Sequence, residues 1–288
     1  MRPLLLFAAS LTLSGCMLEQ EDSRDETFRF NVAGVPRIEV DSDDGPIDLR
    51  GTSSEEVVVK VYRRAKGPSR RQAAERLDDL EVTQRQEGRT IKIQVRRRDG
   101  RRVDWGRVWA EIEIRAPRRT DARLETRDGR IEVADVEGEL SLASGDGPLR
   151  VRDTKGNLKL RAEDGSVQGD GLSGTLDAST GDGRIRLDGS FTGLRAVTSD
   201  GSIQIHCEEN LRLESDWLIR SSDGSIELTL PRDVSAEIDA STGDGRIRSD
   251  LSLADKRSSH SHLRGSLGDG GKLVLVKTSD GEIRLRAH

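Results

Sequence analysis

The stretch Gly138-Glu139-Leu140-Ser141-Leu142-Ala143-Ser144-Gly145-Asp146-Gly147-Pro148-Leu149-Arg150-Val151 decides the fold. Leu140 and Leu142 alternate with polar neighbours, a Ser-x-Asp-Gly turn follows, and Leu149 and Val151 resume the alternation, the period-two pattern of short strands on either side of a tight turn. The same unit recurs along the chain. Asp-Gly stands at Asp128-Gly129, Asp146-Gly147, Asp164-Gly165, Asp182-Gly183 and Asp200-Gly201, each 18 residues after the last. It returns at Asp223-Gly224, Asp244-Gly245 and Asp280-Gly281, at steps of 23, 21 and 36.

Alignment on the Asp shows what the repeat builds. Three residues later come Ile131, Leu149, Val167, Ile185, Ile203, Ile226, Ile247 and Ile283; four residues before come Leu124, Leu142, Leu160, Ala178, Ala196, Ile219, Ala240 and Val276. Both positions face a core. Two residues before the Asp, the side chains are small and mostly hydroxylated, as at Thr126, Ser144, Thr180 and Thr198. A unit this short cannot bury its apolar side alone, so it stacks, each segment pairing with its counterpart ~4.8 Å away. The expected fold is all-β, a β-solenoid or β-helix-like stack of 18-residue coils. A two-sheet sandwich of hairpins is the alternative, because Asp-Gly is also a favoured hairpin turn. The constant register of every ladder favours the solenoid. The outward row four residues after each Asp, which includes Glu132, Arg150, Gln168, Arg186, Gln204 and Glu227, reads as a solvated face that fixes register.

Upstream, residues 28–119 read as strands of the same general kind with one interruption. After Gly67-Pro68, Ser69 and Gln72 form a capping pattern, and Ala73, Leu77 and Leu80 an apolar stripe, which predicts a helix over 69–81 that covers an apolar edge. Ile91 to Val95 and Ala110 to Ile114 read as strands joined by a long basic hairpin, 96–109. The repeat solenoid then spans 120–288, with a flexible loop expected at 249–271.

Composition fits this reading. The chain has 288 residues, with 47 Lys or Arg against 52 Asp or Glu, so its net charge of −5 argues against a nucleic-acid partner. Leu, Ile, Val and Phe total 69, about a quarter of the chain and enough to fold. Aromatics are only 3%, too few for a conventional large core, whereas 30 glycines supply many turns.

The beginning of the chain has a different character. Arg2, the apolar run from Pro3 to Leu13, and Leu13-Ser14-Gly15-Cys16 have the order of a secretory signal, and the run is too short for the ~20 residues of a membrane span. The tetrad resembles the bacterial lipobox, in which the Cys becomes the lipidated first residue. Residues 1–15 are thus expected to be a lipoprotein signal peptide, Cys16 the lipidation site and 16–27 a tether. Met17, which is not Asp, favours the outer membrane in a diderm organism by resemblance to the enteric sorting rule. Cys207 is the other cysteine, so modification of Cys16 leaves no intrachain disulfide.

Gly138 to Gly147 and the copy Gly174-Thr175-Leu176-Asp177-Ala178-Ser179-Thr180-Gly181-Asp182-Gly183, with Asp43 to Ile47 and Ile112 to Pro117, resemble a bacterial family of unknown function known as the "putative adhesins". The resemblance covers about residues 28–288 and implies a β-solenoid envelope protein. It carries over no catalytic residue.

The repeated turn residues are read as structural. A column of Asp can be bridged by hard cations such as Ca²⁺, but the calcium-binding Gly-Gly-x-Gly-x-Asp repeat is absent, and an Asx-type turn with Gly at positive φ is the favoured account. No metal or cofactor is expected. His206-Cys207 and His260-x-His262 lack metal-ligand spacing. The basic hairpin is the best non-repetitive candidate. Between Lys60 and Arg119 there are 19 Lys or Arg against 9 Asp or Glu, and Arg96, Arg97, Arg98, Arg101 and Arg102 concentrate the charge beside Trp105. These residues are read as contacts for an anionic ligand, with pairing to the acidic solenoid as the competing account. The functional expectation is a non-enzymatic, envelope-anchored, adhesin-like binding or scaffold module, held to the membrane through its lipid. Candidate partners are an envelope or host glycan, an anionic lipid and an envelope protein. The alternatives are a glycan-active β-helix enzyme and an envelope-stress component that binds a membrane protein.

Overall fold

The computed structural model describes residues 19–98, 108–209 and 211–288. The chain is a β-solenoid-like stack: strands before each turn pair into one ladder, strands after it into another, and the inward side chains of both form the core. Three strands, Leu149–Ala162, Val167–Ser179 and Ile185–Val197, run on from one ladder into the other. Alternation is kept throughout. In Glu137–Ser144, for example, Leu140 and Leu142 are buried while Glu139 and Ser141 are not.

Within the stack the pairing is parallel and in register, so like meets like: Leu140 lies beside Leu158, and Leu142 beside Leu160. The order of coils in space departs from that in sequence. Leu273–Thr278 pairs with Trp217–Arg220 on one side and with Ala236–Thr242 on the other, so the last coil lies between two earlier ones. Its partner Ile283–Ala287 is likewise held between Ile226–Leu230 and Ile247–Ser249. At the other end the coil formed by Arg37–Ser42 and Ile47–Thr52 is clamped between Thr90–Arg97 with Val108–Pro117 and Asp121–Thr126 with Ile131–Ala134.

Antiparallel strands close the ends. Gln20–Asn31 pairs with Glu56–Gly67, which pairs with Val108–Pro117, and Leu80–Glu87 pairs with Thr90–Arg97. Residues 20–27, expected within the tether, are therefore part of an edge strand. Their charged, exposed sequence hides the strand because edges are protected by charge rather than by apolar alternation. The helix is shorter than expected, Arg70–Leu77, with the Ser69 hydroxyl accepting from the Gln72 N–H at 3.3 Å. Ala73 and Leu77 are buried against Glu56–Gly67 and Gln20–Asn31, while Leu80 already belongs to the next strand.

Two expectations are corrected. Thr90–Arg97 and Val108–Pro117 lie in different ladders, so the two strands are not paired arms of a hairpin; residues 99–107 between them lie outside the described residues. The expected loop 249–271 contains Ala254–Ser258 and His262–Leu267, an antiparallel pair added to the edge of Ala236–Thr242. The first of these is exposed at every position, so no alternation marked it.

Candidate binding surfaces

Most of the turns are held by the hydroxyl residue two positions before the Asp; the turn at Asp164 has Ala162 there. The Ser144 Oγ accepts from the Gly147 N–H at 3.1 Å and donates to the Gly129 carbonyl of the neighbouring coil at 2.9 Å. Thr126, Ser221, Thr242 and Thr278 repeat both bonds on their own neighbours. One side chain thus closes its own turn and fastens it to the next. This corrects the Asx expectation for the turns of Thr126, Ser144, Thr198, Ser221, Thr242 and Thr278, where the hydroxyl does the closing; the turn residues Asp128, Asp146, Asp164, Asp182, Asp200, Asp223, Asp244 and Asp280 are exposed.

The glycine requirement also has a different cause. Gly129, Gly147, Gly165, Gly183, Gly201, Gly224, Gly245 and Gly281 do not occupy the left-handed region. A Cβ at Gly147 would lie 2.9 Å from the Arg130 nitrogen and closer still to the Gly129 carbonyl, so the coils approach too tightly for any side chain. The column begins with Gly45, which does have φ +106.

The acidic turn at 41–44 meets the basic segment. Arg96 pairs with Asp41 and, at 2.9 Å, with Asp43, while Arg97 pairs with Asp44 at 3.2 Å. Burial raises the Asp44 carboxyl above its usual value and Arg97 draws it back down. Two of the expected anion contacts are therefore engaged within the chain. Arg98 is exposed, and Arg101, Arg102 and Trp105 lie outside the described residues, as does Cys16. Nearby, the Lys66 ammonium sits 5.5 Å from the centre of the Trp109 ring.

His206 and Cys207 lie within strand Ile203–Cys207 and not in a turn. Cys207 is fully buried, and burial pushes its thiol far above the usual value, so it cannot serve as a nucleophile. His262 contacts Asp239 at 3.0 Å. Among the described residues no three His, Cys, Asp or Glu side chains are grouped to hold a metal ion, and no helix is long and apolar enough to cross a membrane.

The outer face after the turns reads from sequence as a solvated face that fixes register, and no motif marks it as a site. Its row runs Asp48, Glu132, Arg150, Gln168, Arg186, Gln204, Glu227, Arg284 and Arg248 in spatial order. Arg150 meets Glu132 at 3.2 Å, and Arg130 reaches both Asp48 and Glu132 at 3.4 Å. Asp48 is raised above its usual value, first by burial, with Arg130 opposing and Glu132, Glu111 and Glu113 adding to the rise.

Coils stacked in register, with a hydroxyl stitch and a glycine column at one corner, define a solenoid-like repeat protein whose outward side chains line up in rows across the coils. The chain belongs to the Toastrack DUF4097 family, which matches residues 35–286. Similar solved structures include one named a "putative lipid binding protein" from Parabacteroides distasonis, 14% identical, covering 91% of this chain and 96% of that one at a TM-score of 0.42. A "putative adhesin" from the same species is 10% identical, covering 92% and 98% at 0.40. A "putative cell adhesion protein" from Clostridium sporogenes is 11% identical, covering 93% and 100% at 0.32. These superpositions are too loose to add to the fold argument. No curated protein matches the chain.

Proposed function

We propose that this protein is exported, lipidated at Cys16 and used as a non-enzymatic binding or scaffold module at the bacterial envelope. What carries the reading is the repeated outer surface: long rows of charged side chains at one-strand spacing, suited to many weak contacts with a polymer or a protein. Equivalent carboxylates recur on every coil, so none is set apart as the acid or base that glycan cleavage needs. More than one acyl chain on Cys16 would suffice for stable anchoring.

The tether and the module are tested separately. Growth with labelled fatty acid should label the wild-type chain and leave Cys16→Ser unlabelled; label retained by the variant refutes the anchor. The full chain in detergent, presented to arrays of envelope and host glycans and anionic lipids, should bind selectively without cleaving any glycan. Depolymerisation of a bound glycan would move the protein to the enzyme class. Binding unchanged in a variant with Arg98, Arg101 and Arg102 replaced by Gln would remove the basic segment from the site.

A further inference from the structure

The outer face after the turns has two unlike rows, and together they specify a ligand more closely than the binding-module reading on which this inference rests. The first row carries Glu113, Asp48, Glu132 and Arg150 on adjacent strands. Two residues further along, the second carries Arg115, Arg50, Ala134 and Arg152, with Asp170 beyond Arg152 at its far end. Partners within the chain engage the first row: Arg130 and Arg150 hold Asp48 and Glu132, and the Tyr62 hydroxyl donates to Glu113 at 3.2 Å.

The second row is not engaged. Arg50, Arg115 and Arg152 are exposed, and among the described residues none of them holds an ion pair. Arg50 and Arg115 are direct cross-strand neighbours, ~4.8 Å apart at the backbone, and like charges so placed are destabilising. Small Ala134 leaves a gap between Arg50 and Arg152. Both rows line a recess of about 1030 Å³, with Leu49, Ile114 and Val133 beneath them.

We propose that this recess binds an acidic saccharide, whose carboxylate is taken by the guanidinium forks of Arg50, Arg115 and Arg152 while ring hydroxyls donate to Asp48, Glu113 and Glu132. An anion that also carries hydroxyls uses both walls. A bare phosphate would satisfy the Arg row and meet repulsion from the acidic one. A lipid surface would press on a flat face and leave a recess unfilled.

The test is calorimetric titration of the full chain in detergent with a tetramer of galacturonic acid. A neutral tetraglucoside, inorganic phosphate and phosphatidylcholine vesicles containing phosphatidylglycerol form separate arms. The tetragalacturonate should bind, and Arg50→Gln with Arg152→Gln should weaken it by about tenfold or more without lowering the melting temperature, because a like-charge neighbour is removed. Arg186→Gln, on the same face outside the recess, should leave binding unchanged. No binding of the tetragalacturonate, equal binding by the double variant, equal binding of the neutral tetraglucoside or phosphate, or binding to vesicles alone would each overturn the proposal. Array binding that survives the double variant would sink the recess and leave the binding module standing.

Discussion

Replacing Gly165 by Ala tests what holds the coils at their spacing. Gly165 sits between Gly147 and Gly183 in the column, and an added Cβ would lie 2.7 Å from the Gly147 carbonyl carbon and 3.1 Å from the Asp146 oxygen. Carbon atoms settle at ~3.5 Å or more, so the overlap is about 0.8 Å against backbone that cannot rotate aside. Relief requires the coils to part at the turn. That strains the bonds from the Leu149 N–H to Ser166 and from the Val167 N–H to Arg184, both 2.9 Å. Overpacking strain of ~1–3 kcal/mol with ~0.5–1.5 kcal/mol for each of the two weakened bonds gives a loss of about 2–6 kcal/mol. At ~2–4 °C per kcal/mol in a domain of this size, the thermal midpoint by circular dichroism should fall by about 4–24 °C. Gly88→Ala is the contrast: its φ is +59 but nothing lies within 4 Å, so only left-handed strain of ~1–2 kcal/mol applies. If Gly165→Ala melts within about 2 °C of wild type, close approach is not what demands the glycine.

Three further outcomes follow from the same geometry. The coil turning at Asp164 has Ala162 where its neighbours have Ser144 and Thr180, so Ala162→Ser should restore the stitch to Gly165 and Gly147 and stabilise by about 1 kcal/mol, read as a raised melting temperature; a fall would mean the hydroxyl does not fit there. Asp48 has a folded-state pKa raised from 3.8, so its ionised form opposes folding above that raised value and the penalty fades as pH drops through it towards the unfolded value. Asp48→Asn should therefore melt above wild type at pH 7, with the difference shrinking in acid; a constant or growing difference refutes the assignment. In a Cys16→Ser background, buried Cys207 should react with a thiol reagent only as the protein unfolds, and fast labelling of the native chain would show that its coil opens.

The cross-section of the stack was legible because it is written once per coil. Ile131, Leu149, Val167, Ile185 and Ile203 are all buried, as period-two alternation required, and the hydroxyl column is buried with them. The reasons attached to the turn were less legible. Asp and Gly side by side invite a local account, whereas the glycine answers to a carbonyl on another coil and the hydroxyl does the closing. The ends were the least legible, because edge strands such as Gln20–Asn31 and Ala254–Ser258 avoid the alternation that marks a buried strand.

The order of the coils and the recess share one cause of illegibility. Every coil offers the same turn, the same inward ladders and the same unpaired edge, so local sequence permits 280–281 to dock beside 244–245 or beside 223–224, and in the fold it does both. The repeat alone therefore does not set the order, and connection lengths and end caps carry no periodic signal from which to read it. The outer rows inherit that order: sequence order puts Glu227 next to Arg248, but the fold puts Arg284 between them, and Glu282 meets both arginines, at 2.8 Å and 3.0 Å. In the same way Arg115 and Arg50 are 65 residues apart in the chain and become neighbours only because the coil containing Asp48 is clamped inside the stack. A charge row on a solenoid therefore has to be read across coils in their spatial order. Read that way, the Arg115 to Arg152 segment combines a cross-strand like-charge pair with a third arginine that stands beside Asp170 and, among the described residues, lacks an ion pair.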